Sequence, residues 1–342
     1  MNRRRLPVWA LVIIDLAAAA VCVGLVLLVM YVVPQGSTVE QVEDEDETAQ
    51  FSLPSSADGS GVDLGVEPAS TNDWSHADTL SLAAEQEEIT SFLAAEKARE
   101  TLQEYTGEQT ELTIEQVSCT IDSEPVVYFV ADVYVSTTKA VKTAFAHNMY
   151  GRNIRDFVSS MARENGAILA ISGDSYGESD SACVIRNGVL YDSDPATSDV
   201  CVLFQDGVMK TYAASEFDAD EVIRQGAWQA WTFGPALLDG EGNILEAFHS
   251  TEYLNKINPR AAIGYVAPGH YKFVVVDGRQ EGYSAGVTMS QLAALMQEEG
   301  CMTAYNLDGG KSAVMVYDGK PISQPIGAGR TISDSIYIGA DT

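Results

Sequence analysis

The sequence predicts an α+β fold, in which mixed β-sheets with hairpins pack with a few helices, preceded by one N-terminal transmembrane helix. Three observations support this prediction. Several β-rich runs are separated by short turn signals, and the few helical segments do not alternate regularly with them. An apolar stretch at the N-terminus is long enough to cross a bilayer. The 342 residues suffice for one large domain or two small ones.

Residues 1–33 predict a cytoplasmic basic cluster and a membrane anchor. Arg3, Arg4 and Arg5 precede the apolar run Leu6–Val33, whose last 18 residues carry no charge. A helix of that length spans about 27 Å, close to the hydrocarbon thickness of a bilayer. Because positive residues stay inside, we expect a single-pass cell-membrane protein with an extracellular C-terminal domain. The alternative is a cleaved signal peptide, which would have a shorter apolar region.

A strongly acidic segment follows the apolar run. Residues 34–90 contain 14 Asp or Glu and no Lys or Arg, with frequent Gly, Ser and Pro. Such a composition buries too little apolar surface to fold alone, so residues 34–78 are predicted to be a disordered spacer. Metal capture or docking of partner proteins is the alternative role of this segment.

Two segments make up the rest of the chain. Residues 79–111 are predicted to be a helical segment that leads into the main domain, residues 112–342. Within residues 79–111, the stretch Thr79–Tyr105 is rich in Ala, Leu, Glu and Lys, with apolar residues near helical spacing. A second helix is predicted at Asn153–Glu164.

Strands and turns are predicted from β-rich runs and from Asn-Gly or Asp-Gly pairs. The predicted strands are Leu112–Ile121, Val126–Val135, Ala167–Ile171 and Phe273–Val276. The predicted hairpin turns are Asn187-Gly188, Asp206-Gly207 and Asp318-Gly319. The best-marked helix is Met289–Glu299, where Thr288 and Gln291 form a capping box and Gly300 ends the helix.

Charge and cysteine usage limit the ligands. A formal charge of −29 and a pI of about 4.2 exclude a basic nucleic-acid-binding surface, so no nucleic-acid partner is expected. An anionic ligand would have to be bound by a few local arginines. The five cysteines show no zinc spacing, and those outside the anchor are either disulfides or buried thiols. No cofactor is required, although clustered Asp oxygens leave room for Ca²⁺ or Mg²⁺.

The first candidate site segment is the end of the strand Ala167–Ile171, where Ser172 and Gly173 precede Asp174. A glycine at this position lets a ligand approach the backbone closely. Asp174 is a candidate catalytic carboxylate or metal ligand, and its alternative role is to form the turn.

The second candidate segment contains two arginines and a carboxylate. Arg260 follows Asn-Pro, and Arg279 follows Asp277-Gly. Because a guanidinium fork matches a phosphate, the two arginines can hold one phosphodiester between them. In so acidic a chain the alternative is a surface ion pair. His270, which lies between them in sequence, is either a proton shuttle or a loop histidine.

The third candidate segment follows the capped helix. A predicted strand delivers Asn306 and Asp308 to a bend at Gly309-Gly310, just before Ser312. Successive N–H groups at such a bend can form an anion-binding nest, beside which Asp308 can act as acid, base or nucleophile. A purely structural loop is the alternative. The sequence lacks a Gly-x-Ser-x-Gly elbow, a P-loop and a His-Glu-x-x-His motif.

With these segments, the chain from about Leu112 to Gly339 resembles the phosphodiester glycosidase family, that of the N-acetylglucosamine-1-phosphodiester α-N-acetylglucosaminidases, in its bacterial branch. The resemblance is carried by Asn258-Pro259-Arg260-Ala261-Ala262-Ile263-Gly264, Val276-Asp277-Gly278-Arg279, Asn306-Leu307-Asp308-Gly309-Gly310, Trp231–Leu237, Val184–Gly188 and Gly329–Asp334.

The resemblance implies an extracytoplasmic hydrolase that cleaves a sugar-1-phosphodiester in envelope or exopolysaccharide glycans. Asp308 would stabilise an oxocarbenium-like centre or activate water, with Asp174 or Asp277 as its partner. Arg260 and Arg279 would hold the phosphate. The other predicted substrate-binding residues are Ser172, Gly173, Asn306, Gly309, Gly310, Ser312 and His270.

Two positions depart from the family pattern. Ser172 stands where Asn is usual, and Lys311 stands where a third glycine is usual. Ser172 lacks an amide donor, and Lys311 adds a charge beside the glycine bend. These departures favour the alternative hypothesis, a non-catalytic module that binds a glycopolymer of the cell envelope.

Overall fold

The computed structural model describes residues 19–25, 33–39, 50–51, 53, 79–178 and 182–340. Residues 19–25 are helical. The helices from residue 79 onward are α1 (Thr79–Ala94), α2 (Val158–Glu164), α3 (Ala219–Arg224), α4 (Glu252–Asn255) and α5 (Met289–Glu298). The strands are β1 (Gln35–Thr38), β2 (Ala98–Thr106), β3 (Thr110–Ile121), β4 (Glu124–Val135), β5 (Val141–Phe145), β6 (Met149–Arg152), β7 (Ala167–Ser172), β8 (Val184–Arg186), β9 (Val189–Asp192), β10 (Val200–Phe204), β11 (Met209–Tyr212), β12 (Ala227–Trp231), β13 (Arg260–Ala267), β14 (His270–Val276), β15 (Thr303–Leu307), β16 (Met315–Tyr317), β17 (Lys320–Pro321) and β18 (Asp334–Gly339).

Three large sheets organise these strands. The first has the order β15-β13-β14-β4-β3-β2, the second β17-β16-β7-β18-β5 and the third β11-β10-β12-β8-β9, while β1 pairs with β6. The strand pairs that the structure describes are antiparallel. Sheets with few helices confirm the predicted α+β class.

Alternating side chains of the first sheet face two separate cores. In β14, Phe273 and Val275 face a core shared by the three sheets, whereas Val274 and Val276 face a second core. Helices α1 and α5 cover that second core, with Phe92 and Leu292 fully buried in it. Helix α2 covers the second sheet, where its Met161 packs in a third core with Ala170 of β7.

Several local predictions are confirmed. The Asn187-Gly188 pair joins β8 to β9, and the Asp318-Gly319 pair joins β16 to β17, with Gly188 and Gly319 at φ of +80° and +70°. The capping box of α5 is present, because the Thr288 side chain accepts from Gln291 N–H and the Gln291 side chain accepts from Thr288 N–H. Gly300, at φ of +80°, follows the end of the helix.

The helix predicted for Thr79–Tyr105 is wrong beyond Ala94. Residues 98–106 form β2, which pairs with β3 along its whole length, and Arg99 contacts Glu115 at 2.9 Å across the pair. Pairing with a neighbouring strand overrides the helical propensity of this segment. The helix predicted at Asn153–Glu164 likewise begins later, at Val158.

The predicted membrane anchor lies mostly outside the described residues. No helix within the part of the chain that the structure describes combines the length and the apolar character needed to span a membrane. The predicted spacer also lies almost wholly outside the described residues. The domain boundaries stay predictions.

The cysteines that lie outside the predicted anchor form no disulfides. Cys119, Cys183, Cys201 and Cys301 are buried free thiols.

Candidate active site

The ends of three adjacent strands meet at one edge of the first sheet. Arg260, which begins β13, pairs with Val276, which ends β14, and Ala261 pairs with Leu307, which ends β15. The antiparallel register therefore brings the segments after Val276 and after Leu307 to the start of β13. Two of the candidate segments predicted from the sequence come together here.

A cleft with a volume of about 330 Å³ lies at this edge. It is lined by Ser175, Glu178, Phe233, Tyr253, Leu254, Asn258, Pro259, Arg260, Arg279, Asn306, Leu307, Asp308, Gly309, Gly310, Lys311 and Arg330. The predicted residues that line it are Arg260, Arg279, Asn306, Asp308, Gly309 and Gly310.

Asp308 is the predicted catalytic carboxylate that lines the cleft. Its backbone N–H donates to Gly173 O at 3.0 Å, so the end of β7 in the second sheet holds it in place. Burial raises the pKa of Asp308 to about 6, although the charge of Arg330 and a hydrogen bond with Ser312 act in the opposite direction. A carboxyl with this pKa changes its charge near neutral pH.

Arg330 links the two carboxylates of the cleft. Its Nη2 lies 3.1 and 2.9 Å from the two oxygens of Asp308, and its Nε donates to Ser312 Oγ at 2.9 Å. Its Nη1 lies 3.9 Å from Glu178 Oε1. Glu178 also contacts Arg155 at 3.1 Å. Glu178 raises the pKa of Asp308 electrostatically, and both carboxylates contact the same guanidinium group.

Arg279 is oriented by two neutral partners. Its Nε donates to Asn258 Oδ1 at 3.1 Å, and its Nη2 donates to Tyr253 Oη at 3.0 Å. The remaining Nη1 lies 3.7 Å from the point that a Cβ on Gly310 would occupy. Arg279 is exposed, so its guanidinium can meet an anion in the cleft.

Arg260 is mostly committed to the backbone. It is 2% exposed, its Nε donates to Val287 O at 3.2 Å, and its Nη2 donates to Leu254 O and Lys256 O, each at 2.6 Å. These contacts use two of the three guanidinium nitrogens, Nε and Nη2. Arg260 therefore fixes the cleft wall around α4 and can offer its Nη1 to a ligand.

Asp174 does not line the cleft. Its Oδ2 accepts from Thr232 N–H at 2.7 Å and lies 3.5 Å from Arg186 Nη2, and its backbone N–H donates to Asp334 Oδ1 at 2.6 Å. Arg186 is fully buried and contacts Asp334 Oδ2 at 2.7 Å. The buried triad Asp174–Arg186–Asp334 therefore supports the end of β7, because Arg186 and the Thr232 N–H engage its carboxylates outside the cleft.

Asp277 is also placed away from the cleft. Its Oδ2 accepts from Tyr283 Oη–H at 2.9 Å and from Gln324 N–H at 2.8 Å, while its Oδ1 is buried with no partner among the described residues. Burial raises the pKa of Asp277. The position of the side chain fits a role in holding the loop that contains Gln324, and does not support the predicted role as partner of Asp308.

Ser172, Gly173 and Ser312 lie behind the cleft wall. Ser172 Oγ donates to Ser312 O at 2.7 Å and accepts from Val314 N–H at 3.2 Å, which ties β7 to the loop after Gly310. Gly173 has no room for a side chain, because a Cβ there would lie 2.3 Å from Asp334 Oδ1. The structure therefore gives Ser172 and Gly173 supporting contacts and places neither of them at the predicted substrate position.

In the predicted nest at Gly309-Gly310, one of the two backbone N–H groups is already hydrogen-bonded within the protein. Gly310 N–H donates to Pro259 O at 2.9 Å, so it cannot bind an anion. A Cβ on Gly309 would lie 2.8 Å from the same oxygen, which explains why this close approach requires glycine. Within the described residues no acceptor takes the Gly309 N–H, which leaves one backbone donor for a ligand.

Asn306 presents an unpaired acceptor. Its Nδ2 donates to Gly234 O at 2.6 Å, which fixes the orientation of the amide. Its Oδ1 is buried and has no partner among the described residues. A buried acceptor without a donor is costly, and a donor on a ligand in the cleft would remove that cost.

His270 lies at the far end of β14 from Asp277. Its Nε2 is 2.6 Å from Asp132 Oδ1, and its ring stacks on Tyr134 at 4.0 Å. It does not line the cleft, so the structure does not support the predicted role as a proton shuttle or substrate-binding residue.

The site residues predicted from the sequence do not include Arg330, Glu178 or Tyr253. Arg330 lies within Gly329–Asp334, a segment that carried the family resemblance, so that motif could have pointed to it. No local pattern distinguishes Glu178 or Tyr253 from the many other polar surface residues. Across the described part of the chain, no group of three or more His, Cys, Asp or Glu is placed to hold a metal ion.

Known proteins match this chain in sequence and in fold. A sequence model of the family described as phosphodiester glycosidase matches residues 165–339. The SPbeta prophage-derived uncharacterized protein YomE of Bacillus subtilis (strain 168) is 32% identical over 232 residues, which cover 62% of this chain and 36% of that protein. The chain thus spans about a third of that relative's length.

Solved structures share the fold, and two of them illustrate the range of sequence identity. The zebrafish N-acetylglucosamine-1-phosphodiester α-N-acetylglucosaminidase catalytic domain, auto-inhibited by its pro-peptide, has a TM-score of 0.57 and 20% identity, with 72% of this chain and 88% of that chain covered. A protein of Burkholderia pseudomallei K96243 has a TM-score of 0.53 and 10% identity, with 72% and 97% covered. At these identities the similarity is one of fold.

Proposed function

Because this chain belongs to the phosphodiester glycosidase family, we propose that it hydrolyses the bond between the anomeric carbon of a sugar and a phosphodiester. One observation carries the proposal. Asp308, buried and with a pKa of about 6, lines a cleft in which Arg260, Arg279 and Lys311 have no carboxylate partner among the described residues. A carboxylate facing cations is the arrangement that a sugar phosphate requires, because the phosphate and the anomeric centre need opposite charges.

In the proposed reaction, water attacks the anomeric carbon, and the bond from that carbon to the phosphate oxygen breaks. The products are the free sugar, a phosphomonoester and one proton. Asp308, as a carboxylate, stabilises the positive charge that develops at the sugar ring or accepts the proton of water. The phosphate leaves as a weak base, so a strong acid catalyst is not needed.

We assign the second carboxylate to Glu178 in place of Asp174 or Asp277. Glu178 lines the cleft and shares Arg330 with Asp308, whereas the other two carboxylates are bonded to groups outside the cleft. The phosphate would be held by Arg279 Nη1, with Arg260 Nη1 and the Gly309 N–H beside it.

Asn306 would orient the sugar. Its buried Oδ1 needs a donor, and a sugar hydroxyl or an acetamido N–H supplies one. The name of the zebrafish structure supports N-acetylglucosamine as the first sugar to test.

The experiment is a turnover assay of the purified full-length chain on N-acetylglucosamine 1-(ethyl phosphate), with release of free sugar as the readout. Wild type and Asp308→Ala are compared with Glu108→Gln, which changes an exposed carboxylate outside the cleft. We expect turnover by wild type and Glu108→Gln and its loss in Asp308→Ala. Equal turnover by all three would refute the assignment.

A second candidate function is binding without cleavage. It is favoured by the contacts of Arg330 with both oxygens of Asp308, because this ion pair occupies the carboxylate that would otherwise act on the substrate. In that case the cleft would hold an envelope glycopolymer. Tight binding of the ethyl phosphodiester with no release of sugar would support this alternative over hydrolysis.

The cellular context belongs to the same proposal. The arginine cluster and apolar run of residues 1–33 support a single-pass membrane protein whose domain lies outside the cell, where envelope or exopolysaccharide glycans are its substrates. Protease digestion of intact cells tests this: the C-terminal domain should be degraded while a cytoplasmic marker survives. Protection of the domain in intact cells would contradict the proposed orientation.

A further inference from the structure

Three cations of the cleft have no carboxylate partner among the described residues. The ion pairs in that part of the chain engage Asp308 with Arg330 and Glu178 with Arg155 and Arg330, but none involves Arg260, Arg279 or Lys311. The chain carries 49 acidic and 20 basic residues, so carboxylates to neutralise these cations are abundant. Their grouping without counter-charges therefore points to an anionic ligand.

The three cations lie around one stretch of backbone. Arg279 Nη1 is 3.7 Å from the Cβ position of Gly310, and Lys311 is the next residue. Arg260 begins β13 beside the same bend, since Gly310 N–H donates to Pro259 O. Burial and the charge of Arg279 lower the pKa of Arg260 to about 10, as expected for two guanidinium groups that line the same cleft.

One phosphodiester does not balance these charges. A diester carries one negative charge, which leaves two of the three positive charges uncompensated. Arg260 is buried, and the guanidinium group of Arg279 is held by Asn258, so both arginines suit a phosphate in a fixed position. Lys311, in contrast, is exposed at the cleft surface. A lysine ammonium acts as a mobile point charge and can follow an anion whose position varies.

We propose that the cleft has a second anion subsite at Lys311, and that the substrate carries a further phosphate on the aglycone side of the scissile phosphodiester. This inference rests on the proposed function for the position of the first phosphate. The substrate class is a sugar-1-phosphodiester whose alcohol part is itself phosphorylated, such as a unit of a phosphate-linked polymer.

Two probes that differ by one phosphate test the subsite. They are the N-acetylglucosamine 1-(ethyl phosphate) and 1-(2-phosphoethyl phosphate) diesters, used for turnover, and their C-glycosidic phosphonate analogues, which cannot release the sugar, used for calorimetric binding. Wild type is compared with Lys311→Gln and with Lys320→Gln, which removes an equal charge from an exposed strand outside the cleft.

We expect wild type and Lys320→Gln to bind the doubly phosphorylated analogue about tenfold more tightly than the ethyl analogue, as one charge-assisted contact allows. Lys311→Gln should reduce that preference to about twofold or less, and added salt should weaken it in wild type. A wild-type preference that is absent, or that persists in Lys311→Gln, would overturn the subsite.

The turnover measurement separates this inference from the proposed function. Release of sugar from both diesters without any preference in binding would refute the subsite and leave the hydrolase standing. A binding preference that depends on Lys311, with no release of sugar from either diester, would support the subsite and refute the hydrolase.

Discussion

Arg330 Nη2 lies 2.9 and 3.1 Å from the two oxygens of Asp308, and this contact joins loops that flank two different sheets. Asp308 follows β15 of the first sheet, while Arg330 precedes β18 of the second. The position and the charge of the proposed catalytic carboxylate thus depend on how the two sheets pack.

The first prediction concerns the pH dependence of activity. Because burial raises the pKa of Asp308 to about 6, the carboxylate form predominates above that pH and is lost below it. We expect kcat/KM to rise about tenfold per pH unit below pH 6 and to level off above it. A profile that is flat from pH 4 to 8 would contradict a carboxylate role for Asp308.

The second prediction concerns Arg330. Its positive charge lowers the pKa of Asp308, so Arg330→Met should move the half-maximal pH of kcat/KM upward. Arg224→Gln, which removes an exposed arginine on α3, is the matched control and should leave the profile unchanged. An unshifted profile in Arg330→Met, measured on folded protein, would show that Arg330 does not tune Asp308.

The third prediction concerns the buried triad. Arg186→Met would leave the buried carboxylates of Asp174 and Asp334 without a cation, which typically costs about 3–5 kcal/mol in the free energy of unfolding. Urea unfolding measures this loss, with Arg224→Gln as the control. An unfolding midpoint equal to that of wild type would contradict the importance of the triad.

The pH dependence of that variant has a defined sign. Burial raises the pKa of Asp334, and loss of Arg186 should raise it further, because the charge of Arg186 opposes the shift. The folded variant then binds protons that the unfolded chain releases, so its stability rises as the pH falls toward the unfolded pKa of about 4. The deficit relative to wild type should therefore be smaller at pH 5 than at pH 8, provided that both proteins stay folded.

The fourth prediction concerns Asn306. Asn306→Ala removes the unpaired Oδ1, and we expect kcat/KM to fall by about 10- to 100-fold, which corresponds to one hydrogen bond in a buried site. A series of sugars that lack either one hydroxyl or the acetamido group should contain one analogue on which wild type and Asn306→Ala are equally slow. If the variant loses the same factor on every analogue, Asn306 does not bind a sugar donor.

The sequence predicted best those features that a few neighbouring residues determine. The Asn187-Gly188 turn and the Thr288 capping box depend on side chains within four positions of each other, and both are present. Residues 98–106 have helical composition, and their strand conformation follows from pairing with β3, which no local pattern shows.

The same distinction applies to the candidate site. Arg260, Arg279 and Asp308 were selected because each lies at a strand end beside a glycine or proline, and the structure brings these ends together. Asp174 and Asp277 have the same local pattern, but Arg186 and Tyr283 engage their carboxylates outside the cleft. Those partners are set by tertiary packing, which sequence spacing alone does not show.

The register of β13 has a consequence for how the cleft can change. Arg260 lies opposite Val276, and Ala261 lies opposite Leu307, so main-chain hydrogen bonds fix the distance between the guanidinium groups and the carboxylate. A shift of β13 by a single residue would turn Arg260 toward the opposite face of the sheet. Insertions or deletions are therefore expected to be tolerated in the β13–β14 turn at Pro268-Gly269 only when they preserve this pairing, whereas changes of side chain at the rim can alter substrate preference without moving the framework.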